Sequence, residues 1–298
     1  MFRGVPSVTA TEVSDTQTIV LSSGGPGSVP TITPTKAAGQ NILGVILKIA
    51  GSVTQSAAAN WTVGSMIKEL QVLKGANTQI DVGSEDQLEK LFHMLTGMPI
   101  GATFNSSAPT YYNNPTSAGA VGQTSQTEEI FLPLHFTTKV VPQFKLTTTG
   151  YSAVTDATAA TISFTVIFLY GSTPITDDLI KIVTAPAALN SATDIDVSQY
   201  FSEAKPINEV WVELTADSDL SYQSFEIGQS TIYSKVGPTS SQILEALMPN
   251  YSHLTGFYKS RMKPGTVFPT TGSTSNSPKL IYNLAVARTP TFYLVIAS

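Results

Sequence analysis

Short stretches in which apolar and polar residues alternate recur along the whole chain. They are rich in Val, Ile, Thr, Phe and Tyr and end in clusters of Gly, Pro, Ser or Asn, which is typical of β-strands. Alternation is visible in 209–214, and Pro133 indicates a bulge or a sheet edge. The pattern predicts strands at 17–22, 42–50, 130–136, 144–149, 162–170, 210–215 and 292–297. We therefore expect an all-β chain that forms sandwiches or barrels.

Two segments carry the helical period instead. The first has a capping box over 84–87, acidic residues in its first turn and Gly97 as its end. The second has a capping box over 239–242 and stops at Pro249. Their apolar stripes are Leu88, Leu91, Phe92 and Leu95 in the first and Ile243, Leu244, Leu247 and Met248 in the second. The sequence thus predicts two short amphipathic helices, each packed on a β unit.

The strands and helices recur in the same order in the two halves of the chain. Segment 19–22 resembles 181–184, 45–49 resembles 210–214, and each capping box follows a Val-Gly pair. Further on, 129–132 is aligned with 280–283 and 142–146 with 290–294. Collinear self-similarity indicates a duplicated unit. We predict an N-terminal arm, 1–15, a first unit, 16–173, and a second unit, 174–298, that lacks a counterpart of strand 162–170.

Each predicted helix is followed by a long polar segment, 98–127 in the first copy and 249–278 in the second. Structureless loops of about 30 residues are uncommon in compact domains and are usually functional. Both loops are expected to emerge from the same end of their units.

The composition of the chain argues against several classes of function. Charged residues make up 12% of the 298 residues, whereas the chain has 39 threonines and 32 serines. The formal net charge is -5 and only three basic residues are arginines, which argues against sequence-specific nucleic-acid binding. With no cysteine there is no disulfide, thiolate metal site or cysteine nucleophile. The apolar runs are too short for a spanning helix, and no signal peptide is expected.

No group of residues forms a convincing catalytic, cofactor or metal site. Glu89 and His93 lie four apart on the first helix and are interpreted as a solvated pair. Asp217 and Asp219, like 177–178, fit turns better than a calcium loop. The carboxylates of each adjacent pair, 85–86 and 128–129, cannot face each other across a cleft as a glycosidase requires. Ser65 is not in a nucleophile elbow, because the second glycine of that motif is absent. The glycine-rich segment 22–27 lacks the lysine of a phosphate-binding loop.

Two surface features and three sequons are further candidates for binding or modification. Lys259, Arg261 and Lys263 alternate and would share one face of an extended segment, although a solvated loop is the preferred interpretation. The tyrosines at 111–112 are a candidate aromatic platform for sugars. The glycosylation sequons at Asn60, Asn105 and Asn250 match the number expected by chance. We expect no catalytic, cofactor-binding or metal-binding residue.

Two tandem eight-stranded antiparallel units, each with one capped helix and a long polar loop after it, resemble the double jelly-roll major capsid proteins of icosahedral, membrane-containing viruses. The smaller bacteriophage members are closest in size. The resemblance implies a self-assembling structural protein without enzymatic activity or cofactor. It also implies that three copies form a pseudo-hexagonal capsomer, which contacts neighbouring capsomers and minor capsid or membrane proteins. The implied location is the virion, after synthesis in the host cytoplasm.

Low charge agrees with this resemblance, because interfaces between subunits disfavour Lys and Glu. Two alternatives stay open on sequence alone. One is a single jelly-roll capsid protein with an added β domain in a hetero-assembly. The other is an extracellular carbohydrate-binding or adhesin module.

Overall fold

The computed structural model describes residues 8–35, 40–75, 77–98, 112–113, 119–137, 139, 141–201, 205–246, 252–269 and 276–297. The chain divides into two compact units, Met1–Asp177 and Asp178–Ser298. Neither helix in these described residues has the length and apolarity needed to cross a bilayer. The limits 1–15, 16–173 and 174–298 stay predictions. Within the segment predicted as an arm, Ala10–Val13 forms a strand hydrogen-bonded to the sheet of the first unit.

The first unit consists of two antiparallel sheets and one helix. Its elements are β1 (Ala10–Val13), β2 (Gln17–Val20), β3 (Gly27–Ser28), β4 (Asn41–Gln55), β5 (Ile67–Lys74), β6 (Asn77–Val82), α1 (Glu85–Thr96), β7 (Tyr112–Asn113), β8 (Gly122–Leu132), β9 (Pro142–Thr148) and β10 (Ala157–Gly171). The six-stranded sheet has the order β1-β10-β4-β8-β7, and β2 pairs with β10 on the same side as β1. The four-stranded sheet has the order β3-β9-β5-β6.

The second unit repeats this architecture with fewer residues. Its elements are β11 (Leu179–Thr184), β12 (Asp194–Asp196), β13 (Ile207–Glu213), β14 (Leu220–Ile227), β15 (Ser230–Val236), α2 (Pro238–Ala246), β16 (Phe257–Lys259), β17 (Pro278–Leu284) and β18 (Thr291–Ile296). The two four-stranded sheets have the orders β11-β18-β13-β16 and β12-β17-β14-β15. Most consecutive strands alternate between the two sheets of a unit, as in a jelly roll, and the exceptions include the hairpins β5–β6 and β14–β15. The all-β prediction with two tandem jelly rolls is confirmed.

Side-chain alternation places the core of each unit between its two sheets. In β10 the side chains of Ile162, Phe164, Val166 and Phe168 are fully buried, while Ser163 and Ile167 between them are partly exposed. The second core contains Val210 and Val212 of β13 together with residues of the opposite sheet such as Phe225. Because successive side chains of a strand point to opposite faces, each sheet buries one face in its core.

The missing strand of the second unit is a correction to the sequence alignment. By sheet position β10 corresponds to β18, β9 to β17 and β8 to β16. The alignment paired β8 with β17 and β9 with β18, and so left β10 without a partner. Its error arose because β16 has three residues and lies inside the segment predicted as a loop, 249–278. With β16 included, the second jelly roll has all eight strands.

The first polar loop is also shorter than predicted. β8 begins at Gly122, so the last six residues of segment 98–127 belong to a strand paired with β4. Those residues are polar on both faces of the sheet, and therefore carry no apolar alternation that would reveal a strand. Residues 99–111 and 114–118 lie outside the described part of the chain.

Helix α1 follows the sequence signals closely. The Ser84 hydroxyl accepts a hydrogen bond from the Gln87 amide at 3.2 Å, and the Gln87 side chain accepts one from the Gly83 amide at 2.7 Å. Gly97 ends the helix at φ 73, a left-handed conformation that favours glycine. Leu88, Leu91 and Phe92 are completely buried, so the predicted stripe is the packed face.

Helix α2 begins one residue earlier than its predicted capping residue. Pro238 is its first residue, which suits a side chain that fixes φ and has no amide proton. The hydroxyl of Ser241, predicted inside the capping box, is buried and accepts a hydrogen bond from Gln223 Nε2 of β14 at 3.1 Å. The predicted stripe residues Leu247 and Met248, and Pro249, lie outside the described residues.

Candidate functional site

The loops of the first unit gather at the end of the barrel where β4 finishes. The Tyr151 amide donates to the Ser22 carbonyl at 3.0 Å, and the Thr149 amide donates to the Met66 carbonyl at 2.9 Å. The glycine-rich segment 22–27 closes on itself through the Ser22 hydroxyl and the Gly25 amide, 3.2 Å apart. The Gly25 amide is therefore satisfied by Ser22 within a closed turn, whereas a phosphate cradle directs its amides towards a ligand.

At the corresponding end of the second unit, Asp217 and Asp219 lie in a short 3-10 turn between β13 and β14. Asp217 Oδ1 accepts the Gly256 amide at 2.6 Å and lies 3.0 Å from His253 Nε2. Burial raises the pKa of Asp217, but the Gly256 amide and His253 outweigh this and hold the pKa below its usual value. Asp217 therefore joins the turn to the segment that leads into β16.

Asp219 is the more deeply buried of the two carboxylates, with 1% of its surface exposed. Arg288 binds both of its oxygens, Nε at 2.8 Å and Nη2 at 3.1 Å. The pair of hydrogen bonds from Arg288 is the main cause of a pKa below the usual range for Asp219. Asp217 stabilises the turn, Asp219 forms a planar ion pair with Arg288, and both carboxylates accept hydrogen bonds from protein donors.

Removing the guanidinium group should destabilise the protein in a pH-dependent way. Because the pKa of Asp219 is lower in the folded chain than in the unfolded chain, the ion pair stabilises the fold above pH about 4 and this contribution is lost on further acidification. We expect Arg288→Ala to lower the melting temperature by several degrees at pH 7. The difference in melting temperature between this variant and the natural sequence should therefore narrow as the pH falls below about 4. Lys263→Ala, which removes an exposed cation of the same unit, is the control.

The first-helix pair is not solvated as predicted. His93 is completely buried, and its Nδ1 lies 3.1 Å from the Met98 carbonyl oxygen just beyond the helix. Burial raises the pKa of Glu89 above its usual value. The prediction was wrong because α1 packs against β8, which buries more of the helix than its apolar stripe.

The paired carboxylates behave as strand geometry requires. Glu128 is buried on the inner face of β8, whereas Glu129 points outward and lies 3.0 Å from Lys48 Nζ. Asp177 Oδ1 accepts the Thr137 amide at 2.6 Å. Within the described ranges, no group of three or more His, Asp and Glu side chains is arranged to hold a metal ion.

The three alternating cations do not form one basic face. Lys259 lies in β16, 2.8 Å from Glu209 Oε1 and 5.6 Å from the centre of the Trp211 ring. Arg261 Nη2 donates to the Ser241 carbonyl of α2 at 3.2 Å. Lys263 is exposed. Two of the three cations are thus occupied by neighbouring parts of the same unit.

The other candidates fall partly outside the described residues. Tyr111 is outside them, and of Tyr112 only the backbone, in β7, is described. Asn105 and Asn250 are also outside. Asn60 is exposed, and its side-chain oxygen accepts the Gly119 amide at 3.0 Å.

A buried carboxylate that sequence reasoning missed lies near the start of the first unit. Glu12 in β1 is 5% exposed, and Tyr170 in β10 donates to its Oε2 at 2.6 Å. The amide and the hydroxyl of Thr35 donate to Oε1 at 2.6 and 2.7 Å. Burial and the Glu12 carboxylate raise the pKa of the Tyr170 phenol. The network ties β1 and a distant loop to β10, and its members are too far apart in sequence to be recognised there.

Substitution of Glu12 by Ala should lower the free energy of unfolding by about 3 kcal/mol, since it leaves the buried Tyr170 phenol and two donors of Thr35 without their acceptor. Denaturant unfolding measures this difference. Thr11→Ala, an exposed neighbour on the same strand, should change stability by less than about 0.5 kcal/mol. Equal effects of both substitutions would contradict a stabilising role for the network.

A second feature missed by sequence reasoning is a face rich in hydroxyl groups, whose exposed charges are limited to the Lys48–Glu129 ion pair among the described residues of β1, β2, β4, β8 and β10. On the six-stranded sheet, the hydroxyls of Thr18 and Ser163 lie 2.7 Å apart across β2 and β10. Ser125 in β8 donates to Ser52 in β4 at 3.1 Å, and Gln123 donates to the same oxygen at 2.8 Å. These side chains lie on the side of the sheet away from its core, and we call this side the outer face.

Comparison with known proteins identifies the fold. The chain is similar to the major capsid protein of Sulfolobus turreted icosahedral virus, at 13% identity and a TM-score of 0.59, with 96% of each chain covered. A second match is the atomic structure of the same virus, at 13% identity and a TM-score of 0.57, covering 96% of this chain and 90% of that chain. The major capsid protein P2 of bacteriophage PM2 matches at 12% identity, with 94% of this chain and 98% of that chain covered and a TM-score of 0.49. No protein-family model and no curated protein matches the chain.

The chain thus has the double jelly-roll fold that is found in viral major capsid proteins. The resemblance inferred from the sequence is confirmed at the level of the fold, over nearly the whole length of both chains.

Proposed function

We propose that this chain is a viral major capsid subunit, a non-enzymatic protein that assembles into homotrimers and, through them, into the pseudo-hexagonal capsomers of an icosahedral shell. The observation that carries the proposal is the pair of complete jelly rolls in one chain, which matches a major capsid protein over 96% of both lengths. Two jelly rolls in each of three chains supply the six barrels of such a capsomer.

Composition and the contents of the barrels support the same function. Charged residues are scarce, and the carboxylates near the barrel ends are engaged by protein donors such as Arg288 and Gly256. A subunit that buries wide faces against its neighbours benefits from low charge, because Lys and Glu are costly to desolvate and to order. The virion is the proposed location after synthesis in the host cytoplasm, and neighbouring capsomers and minor capsid or membrane proteins are the proposed partners.

Light scattering coupled to size-exclusion chromatography tests the proposal. We expect a species of three times the 31.6 kDa of one chain, stable on dilution through the micromolar range. A monomer at all concentrations would contradict the capsid function and favour a binding module. A complex that forms only with another chain would favour the hetero-assembly alternative.

A further inference from the structure

We infer that the part of the outer face of the six-stranded sheet that lies on β1, β2, β10, β4 and β8 is a surface on which the chain binds a second copy of itself. The inference rests on the proposed function and specifies which surface performs the assembly.

The first observation is the distribution of exposed apolar side chains. Among the described residues, the three most exposed large hydrophobic side chains are Val20 at 78%, Val121 at 72% and Val13 at 64%. Val13 and Val20 lie in β1 and β2, paired with β10, and Val121 directly precedes β8. These valines therefore lie at both margins of one sheet. Single exposed valines are common, but three at the margins of one face without net charge indicate a contact surface.

The second observation is the charge on this sheet. Its strands β1, β2, β4, β8 and β10 contain four charged residues, of which Glu12 and Glu128 are buried. The remaining two, Lys48 and Glu129, neutralise each other at 3.0 Å. A phosphate backbone or an anionic lipid surface requires an excess of cations, which this face lacks. A second copy, with its equally low charge, matches it.

The third observation is that the hydroxyl side chains are already ordered. The Thr18–Ser163 and Ser52–Ser125 contacts fix short side chains across neighbouring strands. Short side chains lose little conformational entropy on burial, and hydroxyls fixed in this way can exchange water for a polar partner at small cost. Long charged side chains would lose more.

The size of the face is sufficient for a specific contact. β4 and β8 pair without interruption from Val45 to Gln55. With strands about 4.8 Å apart and a rise of about 3.4 Å per residue, three strands of this length together with the shorter β1 and β2 present about 670 Å². A standard interface buries about 800 Å² on each partner.

The test places charges on the face without disturbing the fold. Val20 and Ser125 are exposed, so the double variant Val20→Lys/Ser125→Lys should fold with an unchanged melting temperature. The matched control, Thr231→Lys/Ser234→Lys, adds the same charges to exposed positions of β15 in the second unit. Both variants and the natural sequence are compared by light scattering over a dilution series.

We expect the face variant to dissociate to single chains at concentrations at least tenfold above those at which the natural sequence and the control dissociate. A face variant that assembles as well as the control would overturn the inference and leave the proposed function intact. A natural sequence that is monomeric throughout would contradict the proposed function itself, and this interface with it.

Discussion

Replacement of Leu91 by Asp is expected to prevent folding of the first unit. Leu91 lies at the centre of α1 and is completely buried, as is its neighbour Phe92. An ionised carboxylate there has no compensating partner and costs several kcal/mol. Because total stabilities are about 5 to 15 kcal/mol, this single change removes a large share of the stability.

Soluble yield, circular dichroism and thermal melting measure the effect. Leu91→Met keeps the volume and polarity of the side chain, and should cost less than about 1.5 kcal/mol. A soluble Leu91→Asp protein with a normal melting curve would show that α1 contributes little to the fold. The equivalent experiment on Leu247 is expected from the sequence to act in the same way on the second unit.

Local sequence signals were sufficient for α1 and for the long strands. The Ser84 cap and the left-handed Gly97 are local signals, and both act within a few residues of the helix they delimit. The long strands have enough alternating positions to be recognised from periodicity alone. The duplication was recoverable for the same reason, since its first strands and both helices occur in the same order.

The remaining features depend on contacts between residues distant in sequence. Strand β16 is a strand because it pairs with β13, and three residues do not define a period. The Glu12 carboxylate accepts a hydrogen bond from Tyr170, which lies 158 residues away in the sequence. The outer face exists only after the register has placed Thr18 beside Ser163 and Ser52 beside Ser125. Burial of His93 likewise follows from packing of the helix on the sheet, which its own sequence does not encode.

Gly256 should be among the positions of the second unit least tolerant of substitution. Its φ is +71, and a Cβ added there would lie 2.4 Å from the Leu214 carbonyl oxygen, a backbone atom that cannot rotate away. Its amide donates to Asp217 Oδ1 at 2.6 Å, and its carbonyl accepts the Leu214 amide at 2.7 Å. Gly256→Ala would therefore strain the backbone and break the connection between β13 and the segment that enters β16.

Gly265→Ala separates these two effects. Gly265 has a similar φ of +77, but an added Cβ would meet no atom within 4 Å. It should therefore show the left-handed strain alone, about 1 to 2 kcal/mol. We expect Gly256→Ala to lower the free energy of unfolding by at least twice as much and to speed hydrogen exchange at the Leu214 amide. Equal losses in the two variants would mean that the close approach of Gly256 to Leu214 adds nothing to the stability of the second jelly roll.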